Sequence, residues 1–443
     1  MQENKMGTMP INKLLVSMAL PMVVSMMIQA LYNIVDSIFV AKINEEAITA
    51  LSLAFPMQNL IIATSTGLGV GINALLSKKL GQKEYATASV VARNGIFLEI
   101  CAYVLFLIIG LFLIKPFINI QTSNSLIATY GIDYLNICCI FSIGIFLQIT
   151  FERLLQSTGK TVLSMITQVA GAITNIILDP IFIFTFSMGV KGAAIATVIG
   201  QFVSAATGLY LNTKYNKEIS INLKGFIPSR KICHKILSVG IPSIIMASIG
   251  SVMTFCMNKI LIILSETAVA VFGIFFKLQS FILMPIFGIN NGMVPIIAYN
   301  YGAKSKERII STIKLSILYA VSIMVIGLLI MQVFPKQLLY MFNASENMLS
   351  IGISALRIIS ISFIFAGFCI IITSVFQAFG NGVYSMFVSI ARQLLVLVPV
   401  AYLLSLTGNT NLVWFSFPIA EIVSIIVCII LYRRVYNNKI INL

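Results

Sequence analysis

The chain alternates long apolar runs with short polar breaks from one end to the other. The runs fall at roughly 14–41, 48–76, 88–114, 125–151, 161–186, 190–212, 236–264, 269–297, 309–334, 347–376, 382–405 and 411–432. Each is longer than the ~18 residues a helix needs to cross hydrocarbon, where a helix satisfies its own backbone N–H and C=O groups. The pattern therefore predicts an all-α integral membrane protein with twelve transmembrane helices.

Charge then sets orientation. The composition is 59% hydrophobic and only 10% charged, with a net charge of +15. In a soluble protein that excess would suggest nucleic acid; here the lysines and arginines sit in the gaps between runs, so the expected partner is the lipid bilayer and no nucleic acid. Gaps at Lys42, Lys115, Lys191 and Lys336 are poor in positive charge, whereas Lys78, Lys79 and Lys83, the stretch from Lys214 to Lys235, Lys304, Lys306 and Arg308, and Arg433 and Arg434 make the alternate gaps rich. The positive-inside rule places both termini in the cytoplasm of a multi-pass cell-membrane protein. The first run lacks the short apolar region and small-residue cleavage site of a leader and is expected to be retained.

The chain also repeats itself. "ALPMVVSMM" at 19–27 answers "GIPSIIMAS" at 240–248, "LGQK" at 80–83 answers "YGAK" at 301–304, and "LLQSTGK" at 154–160 answers "VFQAFGN" at 375–381, all at an offset of 221 residues. Six runs lie in each copy, so the copies share one orientation and are related by an axis along the membrane normal. This predicts two pseudo-symmetric six-helix bundles, 1–212 and 236–443, joined by a Lys-rich cytoplasmic linker at 213–235. Two like bundles facing each other across a cavity is an architecture suited to alternating access.

Most familiar chemistry is absent. No H-E-x-x-H, G-x-S-x-G or P-loop pattern occurs, and an enzyme is not expected. The seven cysteines, Cys101, Cys138, Cys139, Cys233, Cys256, Cys369 and Cys428, form no C-x-x-C pair and read as small core residues. His234 lies in the linker. "TGLGVG" at 66–71 sits inside a run with no strand before it, so close helix packing is expected rather than phosphate binding. The twenty methionines read as packing residues, suited also to a cavity that accepts varied shapes.

Acidic residues inside the runs remain to be explained. The chain has three aspartates, Asp36, Asp133 and Asp179. The offset puts Met257 opposite Asp36 and Val400 opposite Asp179, so this pair belongs to the first half alone. Counting from the outer polar breaks at ~1.5 Å per residue places Asp36, Tyr134, Asp179 and Thr197, on four separate helices, roughly 9–15 Å inward. Asn175 shares the face of Asp179 by its i, i+4 spacing. A carboxylate at that depth is costly if charged and alone, so it takes a proton or finds a cation. Asp36 and Asp179 are expected to exchange H⁺, or to hold Na⁺ with oxygens of Asn175 and Thr197; a polar pair that merely locks helices together is the plainer reading. Two prolines mark hinges: Pro180 follows Asp179 directly, and Pro21 lies ~four turns before Asp36 on the same helix.

Other charges in the runs are weaker signals. Lys259, Lys277, Arg357 and Arg392 lie in the second half and are read as lining a cavity, pairing or snorkelling; Glu99 and Glu421 are equally ambiguous. Glu152 and Arg153 read as an interfacial pair at the inner end of the fourth run.

Taken together, "ALP" at the first run, "YNIVDSIFVA" at 32–41, "RLLQSTGKT" at 153–161, "NIILDPIFIF" at 175–184 and "GVKGAAIATVIGQ" at 189–201 resemble the multidrug and toxic compound extrusion family over essentially the whole chain. The resemblance implies a V-shaped antiporter, a monomer, that expels cationic or amphipathic drugs against an inward flow of H⁺ or Na⁺, with no other cofactor. It also implies cation-site roles for Asp36, Tyr134, Asn175, Asp179 and Thr197, and a bend at Pro21. In the seventh run Met257 and Asn258 stand where another branch carries a carboxylate, so no cation site is expected in the second bundle.

Two other classes fit less well. A flippase for lipid-linked sugars shares the architecture but would need cationic groups in both halves to hold a pyrophosphate. An intramembrane prenyl transferase needs clustered aspartates for Mg²⁺, and three scattered ones do not provide them.

Overall fold

A computed structural model describes residues 4–342, 344–441 and 443, and among these every regular element is a helix. Ten helices are long and apolar enough to cross a membrane, and two bent pairs raise the number to twelve. They are α1 (Ile11–Ala41), α2 (Glu45–Gly81), α3 (Tyr85–Phe112), α4 (Ser125–Ile140 with Ile143–Ser157), α5 (Thr161–Thr185) and α6 (Val190–Tyr215). The second half has α7 (Arg230–Leu264), α8 (Glu266–Gly302), α9 (Lys306–Val333), α10 (Glu346–Ser360 with Phe363–Ala378), α11 (Gly382–Ser405) and α12 (Thr410–Ile440).

The duplication is visible in local chemistry. α2 starts where Asn44 Oδ1 accepts the amide of Ala47 at 2.8 Å, and α8, one repeat later, starts where Ser265 Oγ accepts the amide of Thr267 at 3.1 Å. In both, an acid follows the cap, Glu45 or Glu266, at the positive end of the helix.

α4 and α10 depart from the continuous helices expected, bending by 48° and 49°. At each bend a serine hydroxyl turns back on the chain: Ser142 donates to the carbonyl of Cys139 at 2.8 Å, and Ser362 to that of Ile359 at 2.6 Å. Such a bond competes with the helical ladder and kinks it. α6 runs on to Tyr215 and α7 begins at Arg230, which leaves 216–229 between the two helices.

The two halves meet through α1 and α2 on one side and α7 and α8 on the other. A Cβ added at Gly71, Gly81 or Gly302 would run into the backbone carbonyls of Ile236, Tyr299 and Lys78 respectively. Within "TGLGVG", Gly67 and Gly71 face α7, so the glycines serve close packing. These contacts gather toward the end that carries Lys78, Lys235 and Lys304, here the basic end. There the stretch ahead of α1 also straps the halves together. Asn4 donates to the carboxylate of Glu218 at 2.9 Å, while the carbonyls of Met6 and Met9 accept from Arg308 at 2.9 and 2.8 Å.

Candidate functional site

The site grows out of how α5 and α6 touch. Gly171 and Gly200 face one another so closely that a Cβ at Gly200 would lie 2.9 Å from the carbonyl oxygen of Gly171 and 3.2 Å from Cβ of Asn175. Small residues let helices approach in this way. The approach brings Asn175 of α5 to Thr197 of α6, with the amide nitrogen of Asn175 3.3 Å from the threonine hydroxyl. The same amide lies 3.3 Å from Oδ1 of Asp179, one turn along α5.

Asp36 of α1 comes in from the other side, its carboxyl within hydrogen-bonding reach of that of Asp179. Asp179 and Asn175 are buried, at 0% and 3% exposure. Three buried oxygens, Oδ1 of Asp36, Oδ2 of Asp179 and Oδ1 of Asn175, accept no hydrogen bond. Two carboxyls side by side offer only acceptors when ionised, so an arrangement of this kind can share a proton or accept a cation between them.

Tyr134 sits at the edge. It is 2% exposed and close enough to Asp36 to feel its charge, but its hydroxyl accepts from Gln58 Nε2 of α2 at 2.7 Å. Gln58 was not singled out by the sequence, although an amide within the apolar run 48–76 is a usable signal; the same holds for Gln29 and Gln168, which join α1 to α5 at 3.0 Å. Tyr32, near Asp36 and within bonding range of Gln29, is a further neighbour. Of the prolines, Pro21 lies inside an unbroken α1. Pro180 itself keeps helical angles, φ −63° and ψ −30°, and the irregularity follows it, as a π-helical turn over Ile181–Thr185. Inserted turns of this kind recur at functional sites.

Other charges separate into structural contacts. Asp133 pairs with Lys191 at 3.2 Å and Arg392 with Glu421 at 3.1 Å. Lys259 lies over the Phe255 ring and Lys277 over that of Phe342. Glu152 and Arg153 do not form the interfacial pair expected. Both are 8% exposed, and each turns to another partner: Glu152 accepts from Gln148 at 3.1 Å, while Arg153 donates to Gln156 at 2.8 Å and, across to α8, to Asn291 at 2.9 Å. A side chain at Gly69 would lie 2.8 Å from Cγ of Arg153, so the middle glycine of "TGLGVG" makes room for this crossing. Glu99 is fully buried beside Ser65 and Arg153, and neither of its oxygens accepts a hydrogen bond.

Comparison with known proteins places the chain as a whole. The MatE family model matches twice, over residues 21–181 and 242–403, the two matches opening at Pro21 and Pro242. The multidrug export protein MepA of Staphylococcus haemolyticus is 28% identical over 93% of this chain and 91% of its own length. MepA of Staphylococcus aureus is 26% identical over 93% and 91%. A solved structure of a multidrug resistance MATE family transporter in an outward-facing conformation superposes with a TM-score of 0.92 at 28% identity, covering 98% of both chains. With the family model matching most of the chain in two registered copies, and twelve spans to carry it, the protein is a multi-pass membrane transporter that belongs to the multidrug and toxic compound extrusion family.

Proposed function

We propose that this chain is a secondary antiporter that exports cationic or amphipathic compounds in exchange for H⁺ or Na⁺, with Asp36 and Asp179 as the coupling pair. One observation carries the reading: the two carboxyls face each other with buried oxygens of Asp36, Asp179 and Asn175 left without donors. A proton shared between the carboxyls, or Na⁺ held by those oxygens with the Thr197 hydroxyl, neutralises a charge that the surroundings do not. The multidrug export relatives support drug-like substrates.

The basic end is taken as cytoplasmic, in line with the positive-inside rule. The halves then touch on the cytoplasmic side, which is the outward-facing arrangement. In this state the coupling pair lies toward the open side, where an incoming ion arrives first. Its binding is linked to drug release only to the extent that ion and drug differ in affinity for the two arrangements.

The lysines of the second half do not favour an anionic substrate, since Lys259 and Lys277 lie over aromatic rings and Arg392 is paired. The test is ethidium efflux from proteoliposomes under an imposed pH gradient or an imposed Na⁺ gradient, each alone. One of the two should drive efflux; efflux independent of both removes the antiport reading.

A further inference from the structure

α1 and α5 carry the two coupling aspartates, and three polar contacts connect them along their length. Toward the basic end the hydroxyl of Thr161, the first residue of α5, donates to the backbone carbonyl of Ser17 at 3.3 Å. Further along, Gln168 donates to Gln29 at 3.0 Å, and near the outer end Asp179 faces Asp36. The lowest contact is chemically specific. Pro21 has no N–H, so the carbonyl four residues earlier, that of Ser17, is the one its helix cannot satisfy. Thr161 is fully buried and supplies that carbonyl with a donor from another helix.

The internal repeat is a natural control. The offset carries Ser17 to Ser238 and Pro21 to Pro242, so the second half has the same proline with the same carbonyl freed. It carries Thr161 to Gly382, which packs so tightly on α7 that a Cβ there would lie 2.8 Å from Cα of Val239 and 3.1 Å from its carbonyl oxygen. Gln29 and Gln168 become Gly250 and Ser389, and the aspartates become Met257 and Val400. The proline is common to both halves, whereas all three contacts occur only in the half with the carboxylates. A donor needed merely to tolerate a proline would be needed twice.

We propose that Thr161 is a positioning residue for coupling: its hydroxyl latches the Ser17 carbonyl and holds the two helices in the arrangement in which Asp36 meets Asp179. Release of this single bond frees α1 to bend at Pro21, so the latch links the hinge to the ion site. The inference rests on the coupling role proposed above for the two aspartates.

The experiment is a double-mutant cycle on purified transporter, with ethidium binding measured in detergent and gradient-driven ethidium efflux in proteoliposomes. Thr161→Val keeps the shape and removes the donor. It should leave the ethidium dissociation constant within about twofold and slow turnover about five- to tenfold, the weight of one net hydrogen bond. It should also shift the ion dependence of turnover, and Thr161→Ser should restore both. Pro21→Ala returns an amide donor to Ser17, so in that background Thr161→Val should cost nothing further. If Thr161→Val fails to fold alone, the double variant should fold. Equal losses from Thr161→Val in both backgrounds, no loss in either, or a double variant that also fails to fold would overturn the latch. Asp36→Asn in the same vesicles separates the two ideas, since normal gradient-driven efflux in that variant removes the coupling reading, whereas additivity removes the latch alone.

Discussion

Lys191 at the start of α6 holds Asp133 of α4 in an ion pair of 3.2 Å, while Asp36 and Asp179 face each other, with Asn175 beside Asp179 and no ion pair to either among the described residues. The three aspartates are thereby sorted. Asp133 has a fixed counter-charge, whereas among the described residues no basic side chain pairs with Asp36 or Asp179, which is the setting the proposed ion exchange requires.

Asp36→Asn and Asp179→Asn are each expected to abolish gradient-driven efflux at normal expression, because an amide cannot cycle a proton or supply a charged ligand. Asp133→Asn should retain efflux, losing under ~1 kcal/mol of stability, as for a partly exposed pair. Vesicle efflux assays on the three variants decide it: near-normal transport in both of the first two, or total loss in the third, sinks the assignment.

Gly200→Ala tests the packing beneath the site. The added methyl would lie 2.9 Å from a backbone carbonyl oxygen of α5 and 3.2 Å from Asn175, so α5 and α6 must part. A cost of ~1–3 kcal/mol is expected, as for overpacking elsewhere. A lower melting temperature in detergent should accompany weaker ion dependence, since separation stretches the contact of Asn175 with Thr197. An unchanged melting temperature would show that the approach is not tight in the working protein.

In the second half, substitutions should affect stability but not coupling. Met257 is fully buried, and Met257→Ala should cost ~2–5 kcal/mol. Glu421→Gln leaves Arg392 without its counter-charge; ~2 kcal/mol is expected, less than for a wholly buried pair, because the Arg392 side chain keeps 23% exposure. Both variants should keep the wild-type ion-to-drug stoichiometry in vesicles, and a changed ratio in either would place part of the coupling in this half.

The contact between Arg153 and Asn291 joins the halves near the basic end, at 2.9 Å. Asn291→Ala removes about 1 kcal/mol of closure, or roughly fivefold in the balance between closed and open forms at that end. A cysteine placed at Val23, which packs against Gly288 across the same interface, should label faster in the Asn291→Ala variant, in a background without the seven native cysteines. Equal labelling rates would mean that this bond does not help hold the end shut.

Much of the architecture is local and so is written in the chain. A span needs only enough consecutive apolar residues, since each backbone group finds its partner four residues away. The twelve runs and the unequal halves exposed by Asp36 against Met257 follow from reading along the sequence. The grouping of Asn175 with Asp179 follows too, because i and i+4 share a helix face.

What lies across a helix interface was not legible, because it depends on how each helix is rotated, and many weak contacts set that together. Depth alone put Tyr134 beside the aspartates, but only packing gives its hydroxyl to Gln58. Adjacent charges suggested that Glu152 and Arg153 pair, yet neighbours in sequence point to different sides of a helix, and Arg153 passes over Gly69 to reach Asn291. Pro21 and Pro242 look alike on the page. Their difference, a hydroxyl at Thr161 against bare backbone at Gly382, appears only when the fifth helix of each half is laid against its first.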